Sequence, residues 1–164
     1  MSTERPYRFH QLERHEAPFL AALMSVFGEA FDDRETYLGA VPSETYLAQL
    51  LGRDHFIAIV ALAEHEVVGG LTAYRLDKPE QVRSEIYIYD LAVAPAHRRR
   101  RVATGLIEAL RRTAAGLGAY VIFVQADLVD APAIALYETL GTRETALHFD
   151  IEVPNGRGRR TDSR

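Results

Sequence analysis

One stretch of the sequence, residues 84–113, constrains the fold more than any other. It begins with the hydrophobic run SEIYIYDLAV, passes through the short turn APAH and enters four consecutive arginines, Arg98, Arg99, Arg100 and Arg101. Beyond them, apolar residues recur at helical spacing, at Val102, Ala103, Leu106, Ile107, Leu110, Ala114 and Leu117. The pattern therefore predicts a strand, a basic turn and a helix that packs on a core.

The four arginines lie where the predicted helix begins. Backbone N–H groups in a first helical turn have no intrahelical partner, and the helix dipole is positive there. Cations oppose that dipole unless an anion is bound, so the arrangement favours a phosphate site at residues 97–103. A run of arginines taken alone is more often a solvated surface, and that alternative stays open.

Composition indicates one globular domain, which we place at residues 1–153. Of the 164 residues, 48% are hydrophobic and 26% are charged. We expect the Gly- and Arg-rich tail at 154–164 to be disordered. The chain has no cysteine and its six histidines lack ligand spacing, so we expect no metal site. No run is long enough to span a membrane and the N-terminus is too polar for a signal peptide, which predicts a cytoplasmic protein.

Charge is distributed unevenly along the chain. The net charge is −4, yet residues 97–112 carry +5, which leaves −9 on the remainder. Such polarity suits an enzyme that binds an anionic cofactor on one side and a cationic acceptor on the other.

The periodicities elsewhere predict a mixed α/β domain with a central sheet and flanking helices. We expect strands at 7–12, 55–62, 67–76, 84–93, 120–126 and 143–153. Expected helices are one at 19–27 ended by Gly28, one capped by Ser43, one at 101–117 and one capped by Asp130. Residues 29–35 read as a connecting loop, and the strand at 120–126 as one buried on both faces. No dinucleotide-binding glycine motif or Walker loop is present.

The element order, with YDLAVAPAHRRRRVA and ALYETLG, resembles the GCN5-related N-acetyltransferases, which bind acetyl-CoA and acetylate amines. Within that superfamily, SEIYIYDLAV, GAYVIFVQAD and ALHFDI resemble the class I aminoglycoside 3-N-acetyltransferases, over residues 8–151. The resemblance implies an acyl-CoA N-acyltransferase fold, acetyl-CoA as cofactor with coenzyme A as product, and acetylation of an aminoglycoside antibiotic at its 3-amino group, which confers resistance.

The resemblance also implies cofactor-binding residues. The family's pyrophosphate loop, Arg or Gln, two residues, Gly, one residue, Gly or Ala, falls on Arg98, Arg101 and Ala103. The expected set is Leu91, Ala92 and Val93 for the pantetheine arm, and Arg98, Arg99, Arg100, Arg101, Val102, Ala103 and Thr104 for the phosphates. Arg101 stands where glycine is usual. A positive φ would strain an arginine there, whereas helical geometry would still leave its N–H free for phosphate, and we expect the helical geometry because Val102 and Ala103 continue directly into the helix.

Two residues are candidates for catalysis. Asp90 is a carboxylate inside an apolar strand, where it could take the proton of the acceptor ammonium. The alternative is a buried aspartate held by an arginine or backbone donors. Strand parity places Glu85 on the opposite face from Asp90 unless a bulge shifts the phase, so Glu85 is a reserve candidate. Tyr137 of ALYETLG is, by resemblance, the acid that protonates the thiolate, although its spacing alone suits a core residue.

A polycationic acceptor requires carboxylates near the cleft. The candidates are Glu29, Asp32, Asp33, Glu85, Asp127 and Asp130, each of which could also be surface or, for Asp130, a helix cap. We expect direct transfer, since the chain lacks cysteine and no serine lies in a nucleophile elbow.

Two alternative functions remain open from the sequence. One is a related acetyltransferase acting on a polyamine, a metabolite amine or a protein N-terminus. The other is a non-catalytic acyl-CoA sensor or a nucleic-acid-binding module that uses the HRRRR patch. Net acidity and the absence of aromatic residues among the arginines argue against nucleic acid. A homodimer is one option for the assembly.

Overall fold

The computed structural model describes residues 6–154, which form two compact units, one ending at Asp127 and the other beginning at Leu128. The first unit contains a five-stranded sheet in the order β1-β2-β3-β4-β5, antiparallel except for the parallel β4–β5 pair. Its strands are β1 (Arg8–Gln11), β2 (Phe56–Ala63), β3 (Glu66–Lys78), β4 (Arg83–Val93) and β5 (Ala119–Val124). Its helices are α1 (Ala17–Ala30), α2 (Arg34–Leu38), α3 (Glu44–Leu51) and α4 (Val102–Gly116). The mixed α/β class is confirmed.

Helices cover both faces of this sheet. Alternate residues of β2, namely Phe56, Ala58, Val60 and Leu62, pack in one cluster with Leu20, Leu23 and Phe27 of α1 and Leu47 and Leu51 of α3. Helix α4 packs against the sheet through Val102, Leu106, Ile107, Leu110 and Ala114, which are buried at helical spacing. Full burial of each leucine contributes about 1.5–3 kcal/mol, so the amphipathic pattern alone accounts for much of the docking of α4.

A β-bulge in β4 changes which residues share a face. Thr72 pairs with Asp90 whereas Ala73 pairs with Ile88, so Tyr89 is an extra residue on β4. Cross-strand partners lie on one face, and Thr72 and Tyr74 share a face because they are two residues apart. The bulge therefore brings Asp90 onto the face of Tyr74 and its partner Tyr87.

The described residues of the second unit, 128–154, contain one helix, α5 (Ala131–Glu138), whose first turn is capped by the Asp130 side chain accepting the Ala133 N–H at 3.2 Å. The cap predicted from the sequence is confirmed. The predicted strand at 143–153 is wrong, because the described residues after α5 contain no strand. Its alternating apolar residues, Leu147, Phe149, Ile151 and Val153, are all exposed. Alternation specifies the two faces of a strand but supplies no pairing partner for its backbone.

Other departures from the sequence predictions are local. Helix α1 continues past Gly28 to Ala30. The predicted loop at 29–35 contains the start of α2, which Asp33 caps by accepting the Thr36 N–H. Strand β5 is not buried on both faces, because Tyr120, Val121 and Phe123 are exposed. The predicted disordered tail lies outside the described residues except for Pro154, and the single-domain boundary at 153 stays a prediction.

Gly70 sets how closely α1 approaches the sheet. A Cβ atom at this position would lie 2.5 Å from Leu23 Cδ1 of α1 and 2.8 Å from the Ile59 carbonyl oxygen. We expect Gly70→Ala to lower the free energy of unfolding by roughly 1–3 kcal/mol, because the backbone oxygen cannot move aside cheaply. Thermal and urea unfolding would measure the change.

Gly116, in the last turn of α4, provides the matched control. No atom lies within 4 Å of a Cβ built there, so Gly116→Ala should be neutral or stabilise by up to about 1 kcal/mol through helix propensity. Equal melting temperatures for wild type and Gly70→Ala would contradict this close packing of α1 on the sheet at Gly70.

Candidate active site

Asp90 lies beside a phenol supplied by α2. The Tyr37 hydroxyl donates a hydrogen bond to Asp90 Oδ1 at 3.0 Å, across the face onto which the bulge moves the carboxylate. The Tyr37 ring packs against Phe27 and Phe31 of the α1 region, with centroids 5.7 and 5.6 Å away. Packing and hydrogen bond together fix the orientation of this donor relative to the carboxylate.

The electrostatics around Asp90 are those of a carboxylate surrounded by tyrosines. Burial, and then the charge of Asp90, raises the pKa of Tyr37, which therefore keeps its proton as a donor at neutral pH. The pKa of Tyr74 is also raised, by burial first and then by the neighbouring Tyr89, Tyr46 and Asp90. Sequence reasoning missed this set, although Tyr89, directly before Asp90, was a signal.

The end of β4 has an open edge. Its last pairing with β5 joins Ile88 to Val124, and β4 then continues to Val93 while pairing on the other side with β3. Among the residues that the structure describes, nothing pairs with Leu91, Ala92 and Val93 on the β5 side. The backbone of this segment is thus available to an extended ligand, as an exposed strand edge is.

The basic turn after β4 is tied to the strand that precedes it. The Arg98 Nε donates to the Val93 carbonyl at 3.0 Å, and the Tyr7 hydroxyl lies 3.0 Å from His97 Nδ1. The first hydrogen bond of α4 runs from the Gly105 N–H to the Arg101 carbonyl, so Val102, Ala103 and Thr104 belong to the first turn, whose N–H groups have no intrahelical partner. The basic turn and the N–H groups of the first turn of α4 together suit the binding of an anion.

The backbone of Arg101 adopts the left-handed conformation, contrary to the helical geometry expected from the sequence. Its φ is +62° and its ψ is +22°, at the N-cap of α4, and Arg99 has φ +58°. The chain must turn sharply between the end of β4 and α4, and this turn overrides the helical preference of Val102 and Ala103. Left-handed residues within a turn orient successive N–H groups toward a common point, which is a recurrent anion-binding geometry.

The candidate acceptor acids differ in their surroundings. Glu29 forms an ion pair with Arg34, Asp33 caps α2, and Asp130 caps α5. Glu85 accepts a hydrogen bond from the Tyr120 hydroxyl and lies 3.6 Å from Lys78 Nζ. The side chains of Asp32 and Asp127 are exposed and make no hydrogen bond or ion pair with other residues in 6–154. The acceptor-binding role of all six stays a prediction.

Tyr137 lies in α5 of the second unit. Burial, and then the charge of Asp130, raises the pKa of this phenol to about 12. Tyr137 is therefore protonated at neutral pH, as a proton donor must be. No helix between residues 6 and 154 is both long and apolar enough to cross a bilayer.

Comparison with known proteins identifies the family. The model of the acetyltransferase (GNAT) family matches residues 11–142, and the chain belongs to this family. The match confirms the superfamily that the sequence motifs resemble and the fold expected from them. The protein is an acetyltransferase of the GNAT type, a family whose members use acetyl-CoA.

Solved structures refine the comparison. An aminoglycoside acetyltransferase from an uncultured soil metagenomic sample is 58% identical, with a TM-score of 0.88 over 90% of this chain and 98% of that one. A second aminoglycoside acetyltransferase from an uncultured soil metagenomic sample, solved with sisomicin, is 29% identical, with a TM-score of 0.84 over 90% and 97% of the two chains. N-acetyltransferase 8 from Homo sapiens is 28% identical over 55% of this chain and 40% of its own, so the chain matches under half of that relative.

The left-handed backbone at Arg101 leads to a prediction. A non-glycine residue in this conformation costs about 1–2 kcal/mol, so Arg101→Gly should raise the free energy of unfolding by roughly 1 kcal/mol. Arg100 is not left-handed, so Arg100→Gly should give no gain. Urea unfolding of both variants would measure the difference.

Each of these two variants removes one positive charge, so comparing them separates the effect of backbone conformation from the effect of losing an arginine. Acetyl-CoA affinity, measured by calorimetry, should fall less in Arg101→Gly than in Arg100→Gly if the turn's N–H groups hold the phosphate. Equal stability of the two variants would show that the left-handed conformation at Arg101 costs nothing.

Proposed function

We propose that this protein transfers the acetyl group of acetyl-CoA to an amine of an aminoglycoside, at the 3-amino group, and so confers antibiotic resistance. The observation that carries the proposal is 58% identity, over nearly the whole chain, to an aminoglycoside acetyltransferase. A second relative over nearly the whole chain binds sisomicin. The regiochemistry rests on the sequence resemblance, and we place the reaction in the cytoplasm.

The residues present fit acetyl-CoA. The arginine turn at 98–101 and the first turn of α4 would hold its pyrophosphate, and the open edge at Leu91, Ala92 and Val93 would pair with its pantetheine arm. When bound, acetyl-CoA supplies an acetyl thioester whose C–S bond breaks as the C–N bond of the product forms.

In this mechanism Asp90 prepares the acceptor. Only a neutral amine attacks a thioester, so Asp90 takes one proton from the acceptor ammonium and passes it to solvent. Tyr37 keeps the carboxylate oriented through its hydrogen bond to Oδ1. Tyr137 would protonate the sulfur of the departing coenzyme A, and the second proton lost by the amine would return to Tyr137. One proton is released for each amide formed.

A thiol-release assay across amines tests the function. We expect sisomicin and other aminoglycosides to be acetylated, with spermidine and a peptide N-terminus poor acceptors, and NMR of the product to show a 3-N-acetyl group. Efficient turnover of spermidine or the peptide, with none of any aminoglycoside, would instead support the alternative acceptor classes.

Substitution of Asp90 tests the mechanism. Asp90→Asn keeps the size of the side chain but removes the base, and we expect turnover to fall by roughly 10²–10⁴ while acetyl-CoA still binds. Asp54, an exposed aspartate before β2, is the matched control, and Asp54→Asn should leave turnover unchanged. Near-normal turnover in a folded Asp90→Asn protein would assign the aspartate to structure.

Substitution of Tyr37 tests the positioning of Asp90. Tyr37→Phe keeps the ring packed on Phe27 and Phe31 but removes the hydroxyl donor. Hydrogen bonds to charged groups contribute about 1.5–3 kcal/mol, so kcat should fall by about tenfold or more. The acid limb of the pH profile should move to higher pH, because a carboxylate that loses a donor binds its proton more tightly. An unchanged pH profile would count against this role.

A further inference from the structure

Two phenols next to Asp90 differ from the other tyrosines of the sheet. The hydroxyls of Tyr87 and Tyr120 have side-chain partners, Gln125 and Glu85. The hydroxyls of Tyr74 and Tyr89 make no hydrogen bond with any residue in 6–154. Both of these unbonded hydroxyls belong to side chains that flank the same carboxylate.

The geometry of this pair is set by the bulge and by ring packing. Tyr89 is the extra residue of β4 and directly precedes Asp90, while Tyr74 lies on the adjacent strand β3. The two rings meet edge to face with centroids 5.9 Å apart, and Tyr74 also packs edge to face on Phe56 at 5.5 Å. The rings therefore hold their hydroxyls in place without a hydrogen bond between them.

The site is accessible from one side. Tyr89 is 53% exposed, whereas Tyr74 is partly buried and interacts electrostatically with both Tyr89 and Asp90. A ligand can therefore contact Tyr89 directly, and Tyr74, whose ring packs on Tyr89, lies next to it.

The chemistry of the three groups selects a cation with several N–H donors. A phenolic oxygen accepts hydrogen bonds, and a carboxylate supplies negative charge as well as further acceptors. A primary ammonium has three N–H donors and one positive charge, which matches two phenolic oxygens and one carboxylate. A hydroxyl has one donor and no charge, so it can fill only one of the three acceptors and adds no charge attraction to the carboxylate.

We propose that Asp90, Tyr74 and Tyr89 form the subsite for the acceptor's reacting ammonium, with the two phenols determining that an amine rather than a hydroxyl is presented. The proposal rests on the proposed function for the identity of the acceptor, but its subsite applies to any primary amine. Tyr74 and Tyr89 thereby determine specificity, while Asp90 acts on the proton.

Binding of sisomicin by calorimetry tests the subsite in the intact protein. Tyr74→Phe and Tyr89→Phe each remove one acceptor and keep the ring packing. We expect sisomicin affinity to fall about tenfold in each variant, and further in the double variant, with acetyl-CoA affinity unchanged. The KM for the amine should rise in step.

Tyr87→Phe is the matched control. Its ring lies on the same strand and stacks on Phe123 with centroids 4.8 Å apart, but its hydroxyl, unlike those of Tyr74 and Tyr89, donates a hydrogen bond to Gln125 Oε1 at 2.9 Å. Sisomicin affinity should be unchanged in this variant. Thermal unfolding of all variants separates loss of a ligand contact from loss of fold.

The outcomes distinguish the subsite from the function. Equal sisomicin affinity in wild type and in the folded double variant overturns the subsite, even if aminoglycosides are acetylated. If wild type does not bind sisomicin, the aminoglycoside function fails, and spermidine becomes the probe. An affinity for spermidine that falls about tenfold in each variant then supports the subsite. Equal spermidine affinity, or binding of neither amine by wild type, overturns it.

Discussion

The bulge at Tyr89 is the constraint on which the candidate site depends. Without it, the strict alternation of β4 would place Asp90 with Ile86 and Ile88, which are buried residues. With it, Asp90 pairs with Thr72 and joins Tyr74, where the Tyr37 hydroxyl reaches its carboxylate. One inserted residue therefore moves a carboxylate from a core-facing position to one where it has a phenol donor and an accessible neighbour.

The same strand positions the proposed cofactor site. After Ile88, β4 loses its pairing with β5 yet keeps its pairing with β3, so its last residues stay ordered while one edge opens. Arg98 then binds the Val93 carbonyl and fixes the basic turn to the strand end. Acceptor and cofactor groups would thus meet along one short segment, residues 89–93, which suits a direct transfer between them.

Periodic features were predictable and pairing-dependent features were not. The strand, turn and helix at 84–117 followed from periods of two and 3.6 residues, and the caps at Ser43 and Asp130 from side-chain chemistry. Helix α2 is five residues long and has no periodicity to detect, so Tyr37 was missed. The bulge depends on how β3 pairs with β4, and the left-handed Arg101 on the path of the turn. None of these is a property of the local sequence alone.

Most of the acids that the sequence suggests for acceptor binding already have interaction partners within the fold. Glu29 is paired with Arg34, Glu85 with Lys78, and Asp33 and Asp130 accept backbone N–H groups. An ion-paired carboxylate presents little net field to a distant cation, whereas a net charge of −4 still attracts a polycation to the molecule as a whole. Attraction and recognition would then have separate origins. Overall charge brings the amine near, and the phenols beside Asp90 select which group enters, because short-range hydrogen bonds discriminate an ammonium from a hydroxyl where a long-range field cannot.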